Sequence, residues 1–262
     1  MTSFDIPTID VSHFFRSEEN EEGKKKAMEQ IRAACVNYGF FQIVNHGIPL
    51  ELLSRTMDAY ETFFACADEV KLTVPDNYLK STRNSAETYE HLAFRSLPQK
   101  STSFQYEFKV SFVFSPFIKF LCLILLGKYW RRFPATEDDN IGKPAHVDPG
   151  FFTILYQDEV KGLQVHKDGQ WIPIEPSKDK LVVNIGDVIQ VLSNNKFKSA
   201  PHRAVRPRET NRYLYAFFYN GEGDKWVEPL PQFTKETGES PKYRGDSEIG
   251  LIHQLDLKIS SI

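Results

Sequence analysis

Cysteine is scarce in this sequence, with three residues among 262. Cys35, Cys66 and Cys122 are widely spaced and odd in number. This pattern excludes a disulfide framework and a cysteine-rich zinc cluster as the basis of the fold. The first ten residues also lack the basic segment and apolar run of a secretory signal. We therefore expect a reducing, cytoplasmic setting.

A concentration of positive charge is missing as well. The net charge is -3, and Lys and Arg are scattered along the chain, which predicts no nucleic-acid partner. Long apolar runs are also absent, because Pro116 and Lys119 interrupt the segment Val110–Leu126. Its uninterrupted part is far shorter than the ~20 residues needed to span a membrane. We expect a buried segment here and no membrane partner.

The N-terminal part of the chain alternates strand and helix patterns. Residues 5–10 alternate apolar and polar side chains around Pro7, which is typical of an edge strand. Residues 67–105 are polar with weak periodicity and predict loops with short helices. Between these two stretches, the spacing of apolar residues and the turn signals predict a helix over 23–38, a strand over 39–47 and a helix over 50–66.

The C-terminal part predicts a unit built of strands. Its short segments are rich in β-branched and aromatic residues and are separated by turn signals, and Lys167–Gln170 is typical of a two-residue hairpin. Many short strands with even turns indicate a sandwich or jelly roll rather than a parallel sheet. The predicted strands are Phe151–Tyr156, Leu163–Val165, Trp171–Ile174, Lys180–Asn184, Val188–Leu192 and Arg212–Tyr219.

Two histidines and one aspartate form a candidate metal site. His146 and Asp148 occupy alternate positions of one extended segment, so their side chains share a face. With His202 they supply two imidazoles and one carboxylate, the ligand set that holds non-haem Fe(II) and leaves coordination positions open. His46, before a turn glycine, and His166, in the hairpin, are interpreted as structural. The alternative is that the three candidate ligands are ordinary polar residues at turns.

Arg212 is the candidate anchor for an anion. It lies ten residues after His202, on a segment with otherwise apolar and aromatic side chains. A buried guanidinium needs an anionic partner, and its planar fork suits a carboxylate. A dicarboxylic keto acid would satisfy both requirements, with one end on the metal and the other on Arg212. The alternative is a rim arginine paired with Asp or Glu.

Several segments together resemble the plant 2-oxoglutarate/Fe(II)-dependent dioxygenases, a family that includes the isopenicillin-N-synthase-like oxygenases. The resemblance covers residues 6 to about 70 and 133 to about 244. The segments that carry it are IPTIDVSHF, ACVNYGFFQIVNHGIP, GKPAHVDPGFFTILYQD, GLQVHKDGQWIPI, LVVNIGDVIQVLSNNKFKSAPHRAV and RYLYAFF.

The resemblance implies a mainly β fold with flanking helices, in which a double-stranded β-helix (a distorted jelly roll) follows an N-terminal α/β layer. It implies Fe(II) on His146, Asp148 and His202, with 2-oxoglutarate as cosubstrate on Arg212. The implied reaction is hydroxylation or desaturation of a small molecule of plant secondary metabolism by O2, with release of succinate and CO2. A monomer is expected. The implied regions are 5–95 for the N-terminal region and 124–222 for the jelly roll.

Three features depart from the family pattern. Where the family usually has Arg-x-Ser, this chain has Leu214, which cannot donate a hydrogen bond. The stretch compared with the family's Asn-Tyr-Tyr-Pro is Arg131–Pro134, which has no tyrosine. Residues 96–132 and 245–262 are atypical. These segments suggest a variant transcript or an imperfect gene model in which an insertion replaces elements of the core.

These departures leave alternatives open for the function. One is an ascorbate-dependent oxidase resembling aminocyclopropane-carboxylate oxidase, and another is a catalytically impaired protein that still binds iron. A third is a structural protein whose His-x-Asp…His pattern is inert. The aromatic residues Tyr156, Phe217 and Phe218 are interpreted as core residues or as walls of the substrate pocket.

Overall fold

The computed structural model describes most of the chain in nine ranges. They are residues 5–15, 20–73, 78–80, 89–96, 120–129, 141–207, 210–221, 225–243 and 251–252. None of the helices in these ranges has the length and apolar character needed to cross a bilayer.

The N-terminal layer consists of short strands and two long helices. Helix α1 begins where the Asn20 side chain accepts a hydrogen bond from the Gly23 amide, which satisfies one of the free donors at the helix start. Gly39, after this helix, has a φ of 67°, a conformation that glycine adopts readily. The elements are β1 (Thr8–Asp10), α1 (Glu21–Asn37), β2 (Phe40–Val44), α2 (Leu50–Ala65) and α3 (Asp68–Lys71).

Strands dominate the remainder of the described chain. A short helix, α4 (Asp187–Leu192), interrupts them, and one-turn 3-10 helices occupy Ser12–Phe14 and Pro231–Phe233. The strands are β3 (Tyr78–Lys80), β4 (Tyr89–Ser96), β5 (Phe120–Tyr129), β6 (Ile141–His146), β7 (Phe152–Gln157), β8 (Leu163–Lys167), β9 (Gln170–Pro173), β10 (Leu181–Ile185), β11 (His202–Val205), β12 (Arg212–Gly221), β13 (Lys225–Trp226) and β14 (Leu251–Ile252).

Two sheets pack together as the predicted jelly roll. The larger sheet has the order β1-β2-β10-β7-β12-β5-β4-β3, and the smaller has the order β6-β11-β8-β9. A core cluster that includes Phe40, Val182, Leu163, Val165 and Ile172 draws residues from both sheets. The prediction of a mainly β jelly roll with flanking helices and an N-terminal α/β layer is therefore confirmed.

The helices cover the outer face of the larger sheet. Ala27, Ala34 and Cys35 of α1 pack against Phe41 and neighbouring strands. Helix α2 contributes its own cluster, in which Leu53 and Met57 pack against Tyr156. The inner face of the larger sheet is thus left to face the smaller sheet. This division decides which side chains of each strand reach the interior of the jelly roll.

Two local predictions were wrong. Val188–Leu192 was predicted as a strand but lies in α4, where Asp187 occupies the first turn and Val188 and Val191 are buried at helical spacing. Residues 67–105 were predicted to lack strands, yet they contain β3 and β4. Polar residues of β4 obscure the apolar alternation by which a strand is recognised. The predicted hairpin between β8 and β9 is confirmed, with Asp168 and Gly169 both at positive φ.

The segment 96–132, expected to replace core elements, contributes a strand to the main sheet. Strand β5 pairs with β12 over ten residues from Phe120↔Gly221 to Tyr129↔Arg212, and with β4 on its other edge. Residues 97–119 and 130–132 of that segment lie outside the described residues. Most of the atypical tail 245–262 does too, apart from β14, which pairs with β13. A full-length messenger RNA that encodes residues 96–132 unchanged would contradict a variant transcript.

Candidate metal centre

The three predicted ligands meet at one end of the jelly roll. His146 ends β6, Asp148 follows it by two residues, and His202 begins β11 directly opposite His146 in the sheet register. One potential ligand atom from each residue lies within 4.8 Å of the others. The Nε2 atoms of His146 and His202 are 3.8 and 3.6 Å from Asp148 Oδ1. The structure therefore brings together residues that are far apart in sequence.

Backbone carbonyls orient both imidazole rings. The Nδ1 atom of His146 is 2.8 Å from Pro144 O, and that of His202 is 3.2 Å from Ala200 O. A proton on each Nδ1 would be donated to the carbonyl and would leave the lone pair on Nε2. Hydrogen bonds of this kind commonly orient the histidines that bind a metal. Burial, together with the neighbouring His202, lowers the pKa of His146 to about 4. Its ring is therefore neutral at pH 7, which is the form that binds a metal.

The Asp148 carboxylate is held by two neutral donors. Thr153 Oγ1 on β7 and Asn184 Nδ2 on β10 donate hydrogen bonds to Asp148 Oδ2 at 2.6 and 2.7 Å. All three side chains are buried. Because both donors bind Oδ2, Oδ1 is directed at the two histidines. The arrangement fits a single oxygen ligand for a divalent cation beside two nitrogen ligands.

Loss of the Asn184 donor is expected to weaken metal binding. Asn184→Leu leaves Asp148 Oδ2 with one donor and frees the carboxylate to rotate, so Fe(II) affinity should fall by roughly 10–100-fold. Anaerobic Fe(II) titration would measure this. Gln42→Leu is the matched control, because Gln42 is a buried amide on the neighbouring strand that donates to Glu175 O. Equal Fe(II) affinity in both variants would contradict a role for Asn184 in holding the ligand.

The backbone around Asp148 is docked on the start of α4. The amides of Asp187 and Val188 donate to the carbonyls of Asp148 and Gly150 at 2.8 and 3.1 Å. Gly186 makes this approach possible, since a Cβ atom there would lie 2.2 Å from Gly150 O and 2.8 Å from Asp148 O. The position of the aspartate thus depends on a glycine far from it in sequence.

Gly186→Ala is expected to displace the Asp148 loop. The added methyl meets backbone atoms that cannot rotate away, so the free energy of unfolding should fall by roughly 1–3 kcal/mol, and Fe(II) should bind more weakly. Urea unfolding and Fe(II) titration would measure the two effects. Gly169→Asn is the control, because a Cβ atom at Gly169 meets nothing within 4 Å and asparagine tolerates positive φ. Unchanged stability and Fe(II) affinity in Gly186→Ala would refute the predicted clash.

Arg212 is fully buried on the inner side of β12. Its Nη2 donates to Gln157 Oε1 at 2.6 Å, and its Nε donates to Val160 O at 3.3 Å. Gly162 lies against the stem of the side chain, because a Cβ atom there would be 2.8 Å from Arg212 Cδ. Gln157 Nε2 is buried and has no hydrogen-bond partner among the described residues. The guanidinium of Arg212 and the side-chain amide of Gln157 are therefore held together in the interior.

The ligand cluster and Arg212 line the same cavity, of about 100 Å³. From β12 the inward side chains Arg212, Leu214, Ala216 and Phe218 contribute to its wall. Phe218 is thus a pocket residue, whereas Tyr156 packs against α2. The remaining lining residues are Phe40, Glu90, His91, Lys143, His146, Asp148, Thr153, Leu155, Leu163, Asn184, His202, Arg203 and Ala204.

Two other histidines, His46 and His166, have contacts away from the cluster. His46 Nδ1 accepts a hydrogen bond from the Ile48 amide at 3.2 Å, and the His166 ring packs on Trp171. Thr153, Asn184 and Gln157, which hold Asp148 and Arg212, were not among the predicted site residues. A signal existed for Asn184, because it is an amide inside the otherwise apolar strand Leu181–Ile185.

Comparison with known proteins places this site in a family. Residues 6–111 match the model of the non-haem dioxygenase in morphine synthesis N-terminal region. Residues 122–221 match the model of the 2OG-Fe(II) oxygenase superfamily. 1-Aminocyclopropane-1-carboxylate oxidase 5 of Arabidopsis thaliana is 32% identical over 91% of this chain and 90% of its own length. This chain belongs to the 2OG-Fe(II) oxygenase superfamily.

Further members of the superfamily share its fold. Jasmonate-induced oxygenase 2 of Arabidopsis thaliana is 31% identical over 92% of this chain and 76% of its own length. The crystal structure of JOX2 in complex with 2OG, Fe and JA superimposes with a TM-score of 0.72 at 26% identity, covering 91% of this chain and 81% of that one. The binary complex of dioxygenase for auxin oxidation 1 from Arabidopsis thaliana with 2-oxoglutarate superimposes with a TM-score of 0.72 at 25% identity. The match covers 90% of this chain and 100% of that one.

The protein is accordingly a 2-oxoglutarate-dependent dioxygenase whose cofactors are Fe(II) and 2-oxoglutarate. Its partners are small-molecule substrates and O2. Much of the segment 96–132, which is atypical by its sequence, lies within the ranges that the two family models match. The two family models together leave out only residues 112–121 of it. Most of strand β5 lies within the range matched by the oxygenase model, in the region where an insertion was predicted.

Proposed function

We propose that His146, Asp148 and His202 hold the Fe(II) and that Arg212 anchors the distal carboxylate of 2-oxoglutarate. The observation that supports this is the shared cavity, into which both the ligand cluster and the buried guanidinium open. The reaction is hydroxylation or desaturation of a small plant-type metabolite by O2, with 2-oxoglutarate converted to succinate and CO2.

The residues have separate tasks in this reaction. His146, Asp148 and His202 would hold the Fe(II), which when bound would supply the oxidation of the keto acid and the substrate by O2. Asp148, fixed by Thr153 and Asn184, provides the anionic ligand and keeps it in one orientation. Arg212 would bind the far carboxylate of the cosubstrate and so hold it at a fixed distance from the metal.

The substrate is proposed to be an aromatic or terpenoid metabolite of secondary metabolism. The support comes from the apolar part of the cavity wall, formed by Phe40, Leu155 and Phe218. One structural neighbour is named for the oxidation of auxin, which is a small molecule. Apolar walls exclude water and accept such a molecule, while a few polar groups orient it.

The proposed function is tested by anaerobic titration with Fe(II) and then 2-oxoglutarate. A visible charge-transfer band at one equivalent of each, absent in Arg212→Ala, is the expected result. Iron without a band would contradict the assignment of the cosubstrate. A band of equal strength in Arg212→Ala would contradict the proposed anchor, and absence of bound iron would contradict the proposed ligands.

An ascorbate-dependent oxidase is the second candidate. The observation in its favour is the 32% identity with an aminocyclopropane-carboxylate oxidase, together with Leu214 in place of a hydroxyl donor beside Arg212. Succinate formation separates the two candidates, because only the 2-oxoglutarate enzyme releases one succinate per substrate oxidised. Stoichiometric iron with no turnover under either condition would identify the catalytically impaired variant.

Further proposals concern the setting of the enzyme. The cysteines are odd in number and scattered along the chain. Cys35 is buried and Cys66 is partly buried, and both are free thiols, which supports a reducing cytoplasmic location. A monomer is proposed, with regions 5–95 and 124–222 as its N-terminal and jelly-roll parts. Light scattering of the purified chain would test the monomer directly.

A further inference from the structure

A continuous row of residues crosses the inner face of the larger sheet beside Arg212. In the register, Gln157 of β7 is opposite Leu214 of β12, Leu214 is opposite Gly127 of β5, and Gly127 is opposite His91 of β4. Directly opposed residues in antiparallel strands share a face. His91 and Leu214 accordingly line the same cavity. Because Gly127 has no side chain, nothing from that position stands between them.

A carboxylate held by Arg212 requires more than one donor. Its two oxygens offer about four acceptor positions, and a guanidinium fork occupies two of them. Gln157, which holds Arg212, has a donor in its Nε2 but is not among the residues that line the cavity, and the inward residues Leu214 and Ala216, which do line it, cannot donate a hydrogen bond from their side chains. Leu155 and Leu163, across the cavity, are also apolar. A buried carboxylate oxygen without a donor would weaken binding, so a further donor near Arg212 has a definite use.

His91 meets the requirements for that donor. Its side chain is 3% exposed and lines the cavity. Burial, with a smaller contribution from Lys143, lowers the pKa of His91 to about 4. The ring is therefore neutral at pH 7 and carries one N–H donor.

The preceding residue holds this part of β4 in place from the opposite face. Glu90, whose side chain alternates with that of His91 along the strand, forms a buried ion pair with Lys71 of α3 at 2.9 Å. Lys71 also contacts Asp68 at 3.0 Å. A strand fixed from outside in this way presents His91 to the cavity in a defined position, which is the condition for an effective binding residue.

We propose that His91 donates a hydrogen bond to the 2-oxoglutarate carboxylate that Arg212 binds, reaching it across Gly127. It thereby supplies the contact that Leu214 cannot make. This inference rests on the proposed function, and it makes His91 a cosubstrate-binding residue from a strand that the sequence analysis predicted as loop. Gly127 is part of the same arrangement, because a larger residue there would stand between His91 and the carboxylate.

The first test is His91→Phe, which keeps a ring of similar size and removes the donor. Anaerobic 2-oxoglutarate titration of the Fe(II)-loaded protein, followed by the charge-transfer band, should give a dissociation constant about 10- to 100-fold higher than in the unchanged protein. The Fe(II) affinity should not change. His46→Phe is the matched control, since His46 is buried but lies outside the cavity. An unchanged 2-oxoglutarate dissociation constant in His91→Phe would overturn the proposal.

A rescue experiment separates binding from packing. Leu214→Ser, introduced into His91→Phe, places a hydroxyl donor beside Arg212 and should recover most of the lost 2-oxoglutarate affinity, and His91→Gln should retain it. A structural defect at His91 would not be repaired by Leu214→Ser, so failure of that rescue would refute the proposal. Should His91→Phe not fold, His91→Met takes its place. If the unchanged protein binds iron but shows no band, the proposed function itself fails, which is a distinguishable result.

Discussion

His202→Leu is expected to abolish stoichiometric Fe(II) binding, whereas His166→Leu is expected to retain it. Leucine is close to histidine in volume, so the packing of Phe40 against position 202 is largely kept while the nitrogen ligand is lost. With only His146 and Asp148 left, the metal would have two protein ligands. His166 is the matched control because it lies on β8, adjacent to β11, yet outside the ligand cluster.

The measurement is iron content after anaerobic loading and desalting. About one Fe(II) per chain is expected for the unchanged protein and for His166→Leu, and less than about 0.1 for His202→Leu, because the variant would keep only two of the three ligands of the triad. Thermal unfolding without metal serves as the folding control. Full iron occupancy in His202→Leu would show that the cluster is not the metal site.

Gln157→Glu is expected to be the most damaging single-atom change for the cosubstrate. Gln157 Oε1 accepts a hydrogen bond from Arg212 Nη2 at 2.6 Å, and glutamate would place an ionised oxygen at the same position. The resulting buried ion pair would occupy the guanidinium and repel the incoming dicarboxylate. The 2-oxoglutarate dissociation constant should rise by about 100-fold or more, a cost comparable to losing a charge-assisted hydrogen bond.

Gln164→Glu provides the control for this exchange. Gln164 Oε1 accepts from Arg203 Nε at 2.7 Å on the smaller sheet, where the guanidinium stacks on Trp171. The same chemical change is therefore made beside another arginine of the cavity wall, on the opposite sheet from the proposed anchor. Both variants would be titrated with 2-oxoglutarate by calorimetry in the Fe(II)-loaded state. Equal dissociation constants for the two variants would argue against Arg212 as the anchor.

Sequence patterns predicted the strands of the jelly roll well where apolar residues dominate them. Leu181–Ile185 is buried along its whole length, and such β-branched, apolar segments read clearly as strands. The apolar pattern gave the wrong prediction where a strand carries polar residues that are buried. In β4, buried Glu90 forms an ion pair with Lys71 through Oε1, and His91 faces the cavity, so neither residue follows the usual apolar-in, polar-out alternation. Val188–Leu192 is too short for its period to separate helix from strand.

The amino-acid sequence alone was enough to propose the ligand types, the anchor and the jelly roll. His146 and Asp148 are close in the chain, and the spacing of a strand puts them on one face. Only the folded structure showed which partners hold them, because Thr153, Asn184 and Gly186 come from other elements and act through contacts between strands. The juxtaposition of His91 and Leu214 across Gly127 likewise depends on sheet register, which results from long-range pairing and is absent from local sequence.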